Sequence, residues 1–262
     1  MADSLGMLRR SRLLWLLVLG VAVLLVAAAW QFFRHDTAET ATVREAVDSF
    51  RHRSPARVGG RPTLAPGVYV YTTTGFEEID ALGGAHHDYP AETTVTVTAG
   101  GCGLKLRWVA LKERDTTWER CATPHGEVLR TAFETHRFFG TTEHTNYVCG
   151  TTLERPKGDK PGTSWPLLCK ADGRIEQGRG RVVARETLTV GSTEIATVHV
   201  RWTATLSGKT TGTTERDAWL ARSNGLPVRM TMASETTTGS VVGDVHYRES
   251  VELELTSTMP RR

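Results

Sequence analysis

Catalytic signatures are missing from this sequence. It holds no G-x-S-x-G, no H-E-x-x-H and no S-x-x-K, the patterns that set a nucleophile or a metal in place for hydrolysis. Its four cysteines never fall into a C-x-x-C spacing, which speaks against a structural zinc site. A basic excess is missing too. Past Arg34 the chain carries 28 Lys and Arg against 28 Asp and Glu, so the net charge of +3 belongs to the N-terminal end. Nucleic-acid binding by a basic face is thereby excluded. No cofactor and no metal are expected.

The last absence is the most informative. No charged side chain interrupts residues 13–33, LLWLLVLGVAVLLVAAAWQFF. As a helix, those residues would span about 30 Å, the thickness of a bilayer's hydrocarbon core. Trp15 at one end, and Trp30, Phe32 and Phe33 at the other, suit the two water–lipid interfaces. Arg9, Arg10 and Arg12 crowd the first flank. The positive-inside rule therefore places residues 1–12 as a cytoplasmic tail, 13–33 as a single transmembrane helix and the bulk outside the plasma membrane. A cleaved signal peptide, cut after Ala27-Ala28-Ala29, is the competing reading; the apolar run is longer than such signals require and continues past the cut.

What remains is mainly β. Residues 34–66 read as a short helix and a linker. Asp36 or Thr37 would cap the helix, and Val43, Ala46, Val47 and Phe50 form its apolar face. Residues 67–262 read as one extracytoplasmic β domain. In it apolar and polar residues alternate, most clearly at 195–206 and 241–255. Residues 76–89 and 151–164 read as loops. Trp108 and Trp202 fall on apolar parities, whereas Arg107, Arg201 and Arg229 fall on the opposite one. Cys102 shares its parity with Leu104, Leu106 and Trp108, which places it on the inner face. The expectation is a curved antiparallel sheet of about ten strands, a half-barrel or barrel-like body covering its own apolar face.

The compartment implied is oxidising, so Cys102, Cys121, Cys149 and Cys169 are expected to form disulfides. Of three possible pairings, Cys102–Cys121 and Cys149–Cys169 are favoured, because each closes a short excursion of similar length.

Few residues stand out for chemistry. His86-His87-Asp88 is the densest ligand-capable cluster, with His125, His136 and His144 as distant additions, but adjacent residues in an extended segment point apart. Glu249 falls on an apolar parity: either a bulge shifts the register, or a carboxylate faces inward and needs a partner. Gly208-Lys209-Thr210 mimics a phosphate loop, yet Thr203 stands where the first Gly belongs; it is a turn.

The closing WL…NGLPVR element, Trp219-Leu220 followed by residues 224–229, resembles the last strands of bacterial lipoprotein-carrier domains of the LolA, LppX and LprG type. The similarity covers residues 180–257. The Arg/Thr/Gly-rich, Lys-poor style also resembles membrane-anchored proteins of high-GC actinobacteria. The carrier resemblance implies an apolar hollow for lipid. Val198, Val200, Trp202, Leu226, Val228, Met230, Val251 and Leu253 would line it, although the same residues would equally fill an ordinary core. The function expected is thus non-catalytic binding of a lipid or other apolar ligand. A structural or regulatory envelope protein working through protein contacts is the alternative, and an envelope hydrolase the third reading.

Overall fold

The computed structural model describes residues 15, 18–26, 38–52, 64–240 and 243–262. They belong to two compact units. In the first, Trp15 and residues 18–26 are helical, and their large apolar side chains are 54–71% exposed. Among the described residues no helix is long and apolar enough to cross a membrane. The rest of the expected 13–33 span, like the expected caps Asp36 and Thr37, lies outside the described residues.

The second unit is a closed meander. Its strands are β1 (Gly67–Ile79), β2 (Ala85–Asp88), β3 (Glu92–Ala99), β4 (Gly103–Val109), β5 (Arg114–Thr123), β6 (Gly126–Phe138) and β7 (Thr141–Pro156). They continue as β8 (Ser164–Ala171), β9 (Arg174–Val190), β10 (Thr193–Gly208), β11 (Thr210–Ala221), β12 (Pro227–Ser240) and β13 (Gly243–Leu255). Neighbours in sequence are neighbours in the sheet from β3 to β13. Strand β1 pairs with β3 through residues 67–72, with β2 through residues 76–79, and on its other edge with β13. The β1–β13 pairing turns the sheet into a twelve-stranded barrel, with β2 as a short addition at one end. Full closure removes the exposed edges that an open half-barrel would keep.

The close approach at the seam depends on Gly75, where β1 changes partner. A Cβ there would lie 2.1 Å from the Ser250 carbonyl oxygen, and the backbone sits at φ 140°, a region that favours glycine.

The apolar parity of the sequence is the barrel's inner face. Val200, Trp202, Leu220 and Leu253 are all at most 3% exposed and belong to one cluster with Trp108. Outside, Val68, Val70 and Thr94 are buried although they lie on the outward parity. Helix α1 (Val43–His52) packs on β1 and β3 and buries Val47. It starts later than expected. Thr42 caps it: its hydroxyl accepts from Glu45 N at 3.2 Å, while Glu45 Oε2 accepts from Thr42 N at 2.8 Å, a reciprocal capping box.

Two expected loops are strands. Residues 76–79 continue β1, and His86, His87 and Asp88 lie on β2 rather than in a solvated loop. Strand β7 runs to Pro156, so only residues 157–163 turn. Both disulfides form with the favoured pairing, Cys102–Cys121 and Cys149–Cys169. Cys102 corrects its own placement, however: it is exposed in the turn before β4 rather than on the inner face, while Cys121 is buried.

Candidate functional site

The interior has two halves. At the end where β1 begins and β13 finishes, apolar side chains fill the barrel. All eight residues expected to line a hollow lie there or beside it, and each is 0–3% exposed. Their surfaces are covered by other protein atoms, so they pack as a filled core.

Toward the opposite end the inward parity turns polar. A first charged layer is Glu154, fully buried between Arg120 (2.9 Å) and Arg216 (2.7 Å). The Arg216 guanidinium lies 4.2 Å from the centre of the Trp202 ring, an added cation–π contact.

Above it, alternation aligns Glu249 on β13, Glu77 on β1 and His87 on β2 directly across three neighbouring strands. No bulge interrupts β13 at Glu249, which settles its ambiguity in favour of an inward carboxylate. Two buried carboxylates side by side repel each other. Arg114, reaching in from β5, answers them: its Nε and Nη2 each donate to Glu249 at 3.0 Å, and Nε lies 3.9 Å from Glu77. Its remaining Nη1 donates to the Thr116 hydroxyl at 2.6 Å and to the Asp115 carbonyl at 3.0 Å. Tyr89 donates its hydroxyl to Glu249 at 2.5 Å. Around Glu77, His87 Nδ1 lies at 3.2 Å and His136 Nδ1 at 3.4 Å, and the Tyr247 hydroxyl donates at 3.2 Å.

These contacts set the protonation states. Burial alone would raise the Glu77 carboxyl; hydrogen bonds with His136 and His87, and the charges of His136 and Arg114, override it and hold Glu77 down at about 2. Burial and Arg114 would lower His136, but hydrogen bonds to Glu134 and Glu77 outweigh them and raise it. Glu134 is pushed up by burial and brought below its ordinary value by His136 and Arg114. Glu176 goes the other way: burial raises it, and the hydrogen bond from Thr214 only partly offsets that. Burial and the nearby Glu249 charge push the Tyr89 and Tyr247 phenols well up.

The inward side chains at this end are less fully covered than those of the apolar half. Glu134, inside a ring of strands, keeps 31% of its side chain exposed, and His136 keeps 19%. Arg174, Arg216, Glu176, Thr214 and Tyr247 face inward and are also only half-buried. Together these side chains form a charged chamber lined from β1, β5, β6, β9, β11 and β13. Arg174 anchors its rim by pairing with Glu143 and donating to the Thr145 hydroxyl at 2.8 Å.

The residues singled out by sequence scatter. His87 and His136 join the chamber around Glu77. His86 faces outward between Glu78 and Asp88, and His125 and His144 are exposed elsewhere. Arg107, Arg201 and Arg229 lie outside as ion pairs with Asp115, Asp217 and Glu252. Beside Arg201, His199 is buried between Glu186 and Asp217 and stacks on Trp219 at 4.1 Å, a compact outer brace. Gly208-Lys209-Thr210 joins β10 to β11 as a turn. Glu77, Arg114, Glu134 and Glu176 escaped sequence reasoning. Their one signal was the parity that exposed Glu249: Glu77 lies on the parity of Tyr69 and Tyr71, and Arg114 on that of Trp118.

No family model, no curated protein and no solved structure matches the chain.

Proposed function

We propose that this chain is a membrane-anchored, extracytoplasmic binding protein that works without covalent chemistry, and that the half-open charged chamber is its ligand seat. The observation that carries the reading is the partial exposure of Glu134, His136 and Glu176 inside a closed barrel. Taking charges out of water costs several kcal/mol per ion, and an apolar filling would serve stability at least as well. Charges kept inside and within reach of water fit recognition of a polar group. The apolar residues first expected to hold a lipid tail give this reading no support, because they are already covered.

The anchor is supported by the first unit. Exposed Val18, Leu19, Val23, Leu24 and Leu25 would each cost about 1.5–3 kcal/mol in water relative to burial. Two disulfides favour an oxidising compartment. A second reading, a scaffold contacting another envelope protein, draws on a shallow outer groove of about 870 Å³ bordered by Glu78, Asp80, His86, Glu235, His246 and Arg248.

Native mass spectrometry of the full chain, released from membranes in mild detergent, tests the proposal. A co-purifying small molecule or lipid, lost on Glu134→Gln or Glu176→Gln, is expected. A bare protein whose melting temperature no polar small molecule shifts would overturn it.

A further inference from the structure

We propose that His136 is a pH-operated clasp across the charged end of the barrel: as an imidazolium it ties β6 to β1, and as a neutral ring it lets Glu134 go. That the clasp governs a ligand's access rests on the binding reading above; the clasp itself does not.

Strands β6 and β1 are not neighbours in the sheet, since β3, β4 and β5 lie between them on the shorter way round. Side chains join them across the interior instead. His136 Nδ1 lies 3.4 Å from Glu77 Oε2, and the His136 ring meets the Tyr247 ring of β13 edge-on at 5.2 Å. On its other side, His136 Nε2 lies 4.0 Å from Glu134 Oε2, two residues back on the same strand. One ring thus stands between two carboxylates. An imidazolium has an N–H for each; a neutral imidazole has one, and turns a lone pair to the other. Cover decides which acid loses. Glu77 is fully buried and cannot exchange its donor for water, whereas Glu134 is 31% exposed and can. The remaining N–H therefore stays on Nδ1, and Glu134 turns to solvent.

The surrounding groups leave this step to the imidazole. Glu77 also has His87 Nδ1 from β2 at 3.2 Å, the Tyr247 hydroxyl from β13 at 3.2 Å and Arg114 from β5 at 3.9 Å. Arg114 is held by Glu249, which takes the Tyr89 hydroxyl as well. Glu134 also feels Arg174 from β9, and Tyr147 on β7 and Glu176 on β9 feel Glu134 in turn. Arg114 stays charged throughout. Glu77 stays ionised down to about 2, and the Tyr89, Tyr147 and Tyr247 phenols are pushed up, away from neutrality. An imidazole responds near neutral pH. Burial and Arg114 would lower His136, but Glu134 and Glu77 outweigh them and raise it above its ordinary 6.5. The clasp therefore contributes in full below pH 6.5 and is lost as pH climbs through the raised value. The Arg114 lock does not change over that range, so the loosening is confined to the β6 side.

The test uses the full chain in mild detergent. Titration of the imidazole by nuclear magnetic resonance should put the His136 midpoint above 6.5, and Glu134→Gln, which removes one carboxylate, should bring it down. Hydrogen exchange at about pH 6 and about pH 8, corrected for the intrinsic rate, should show residues 133–138 losing up to about tenfold in protection for each unit by which that midpoint exceeds the ordinary one. Residues 249–255 should hold theirs. His136→Asn, checked for an unchanged far-ultraviolet spectrum, should show no such loss. A midpoint at or below 6.5 in the native chain, or the same loss of protection in His136→Asn, overturns the clasp. Native mass spectrometry at the two pH values separates the two readings. A co-purifying molecule held equally at both refutes control of access by the clasp, whereas a protein bare at both, with His136 titrating as expected, removes the binding reading and leaves the clasp standing.

Discussion

Replacing Arg114 by Met tests whether the inner network is as coupled as its geometry implies. The guanidinium is 3% exposed and Glu249 7%, so solvent screens neither. Met keeps most of the volume, which leaves charge as the main change. Glu249 would retain the Tyr89 hydroxyl alone, and it would face Glu77 directly across the β1–β13 pairing with no cation between them. Removing one partner of a buried ion pair costs about 3–5 kcal/mol, and the facing carboxylates push this case toward the upper figure. For a domain of this size about 2–4 °C is lost per kcal/mol, so a drop of roughly 6–20 °C is expected. Thermal unfolding followed by tryptophan fluorescence would read it. Adding Glu249→Gln removes the orphaned charge and should restore about 1–3 kcal/mol. The reasoning is refuted if Arg114→Met costs under about 1 kcal/mol, or if the double variant is less stable than the single one.

Three further outcomes are expected. Because Glu77 is held at about 2 in the fold against an ordinary 4.5, its contribution is full above pH 4.5 and is lost as pH falls toward 2; Glu77→Gln should flatten that acid limb in a series of denaturant melts. Reducing the disulfides, which close spans of 19 and 20 residues, should cost about 3 kcal/mol each in unfolding free energy, measured by urea titration with and without reductant. Gly180→Ala would set a methyl 2.4 Å from the Trp165 ring, an overpacking worth about 1–3 kcal/mol that should also red-shift the tryptophan emission; an unchanged spectrum and melt would show that the ring yields freely.

The sequence announced the apolar half of the barrel and hid the charged half for one reason. Alternation is legible only when one face is apolar. At 195–206 the inward residues are Val198, Val200, Trp202, Ala204 and Leu206, and the strand declares itself. On β5 and β6 the inward residues are Arg114, Thr116, Glu134 and His136, so both faces read as polar and the strands fade. The end of β1 was lost in the same way, with Glu77 inward and Glu78 outward, and with Gly83-Gly84 close behind reinforcing the impression of a loop. Asn224-Gly225 lies in the turn between β11 and β12, which runs from Arg222 to Leu226 and is held by Gly225 N donating to the Ala221 carbonyl at 2.8 Å. Closure was out of reach altogether, since nothing local records that Tyr71 will pair with Leu255.

That pairing dictates an order of events. Every other seam in the barrel joins strands close together in the chain, so hairpins form as the polypeptide emerges, whereas the final seam must wait for the last strand to be made. Until then β1 and β12 present bare edges, ready to capture a neighbouring molecule. A chain cut short before residue 243 would stay in that state for good. Damage at the tail would accordingly be felt at the first strand, and stalled synthesis would yield sticky open ribbons instead of a shortened barrel.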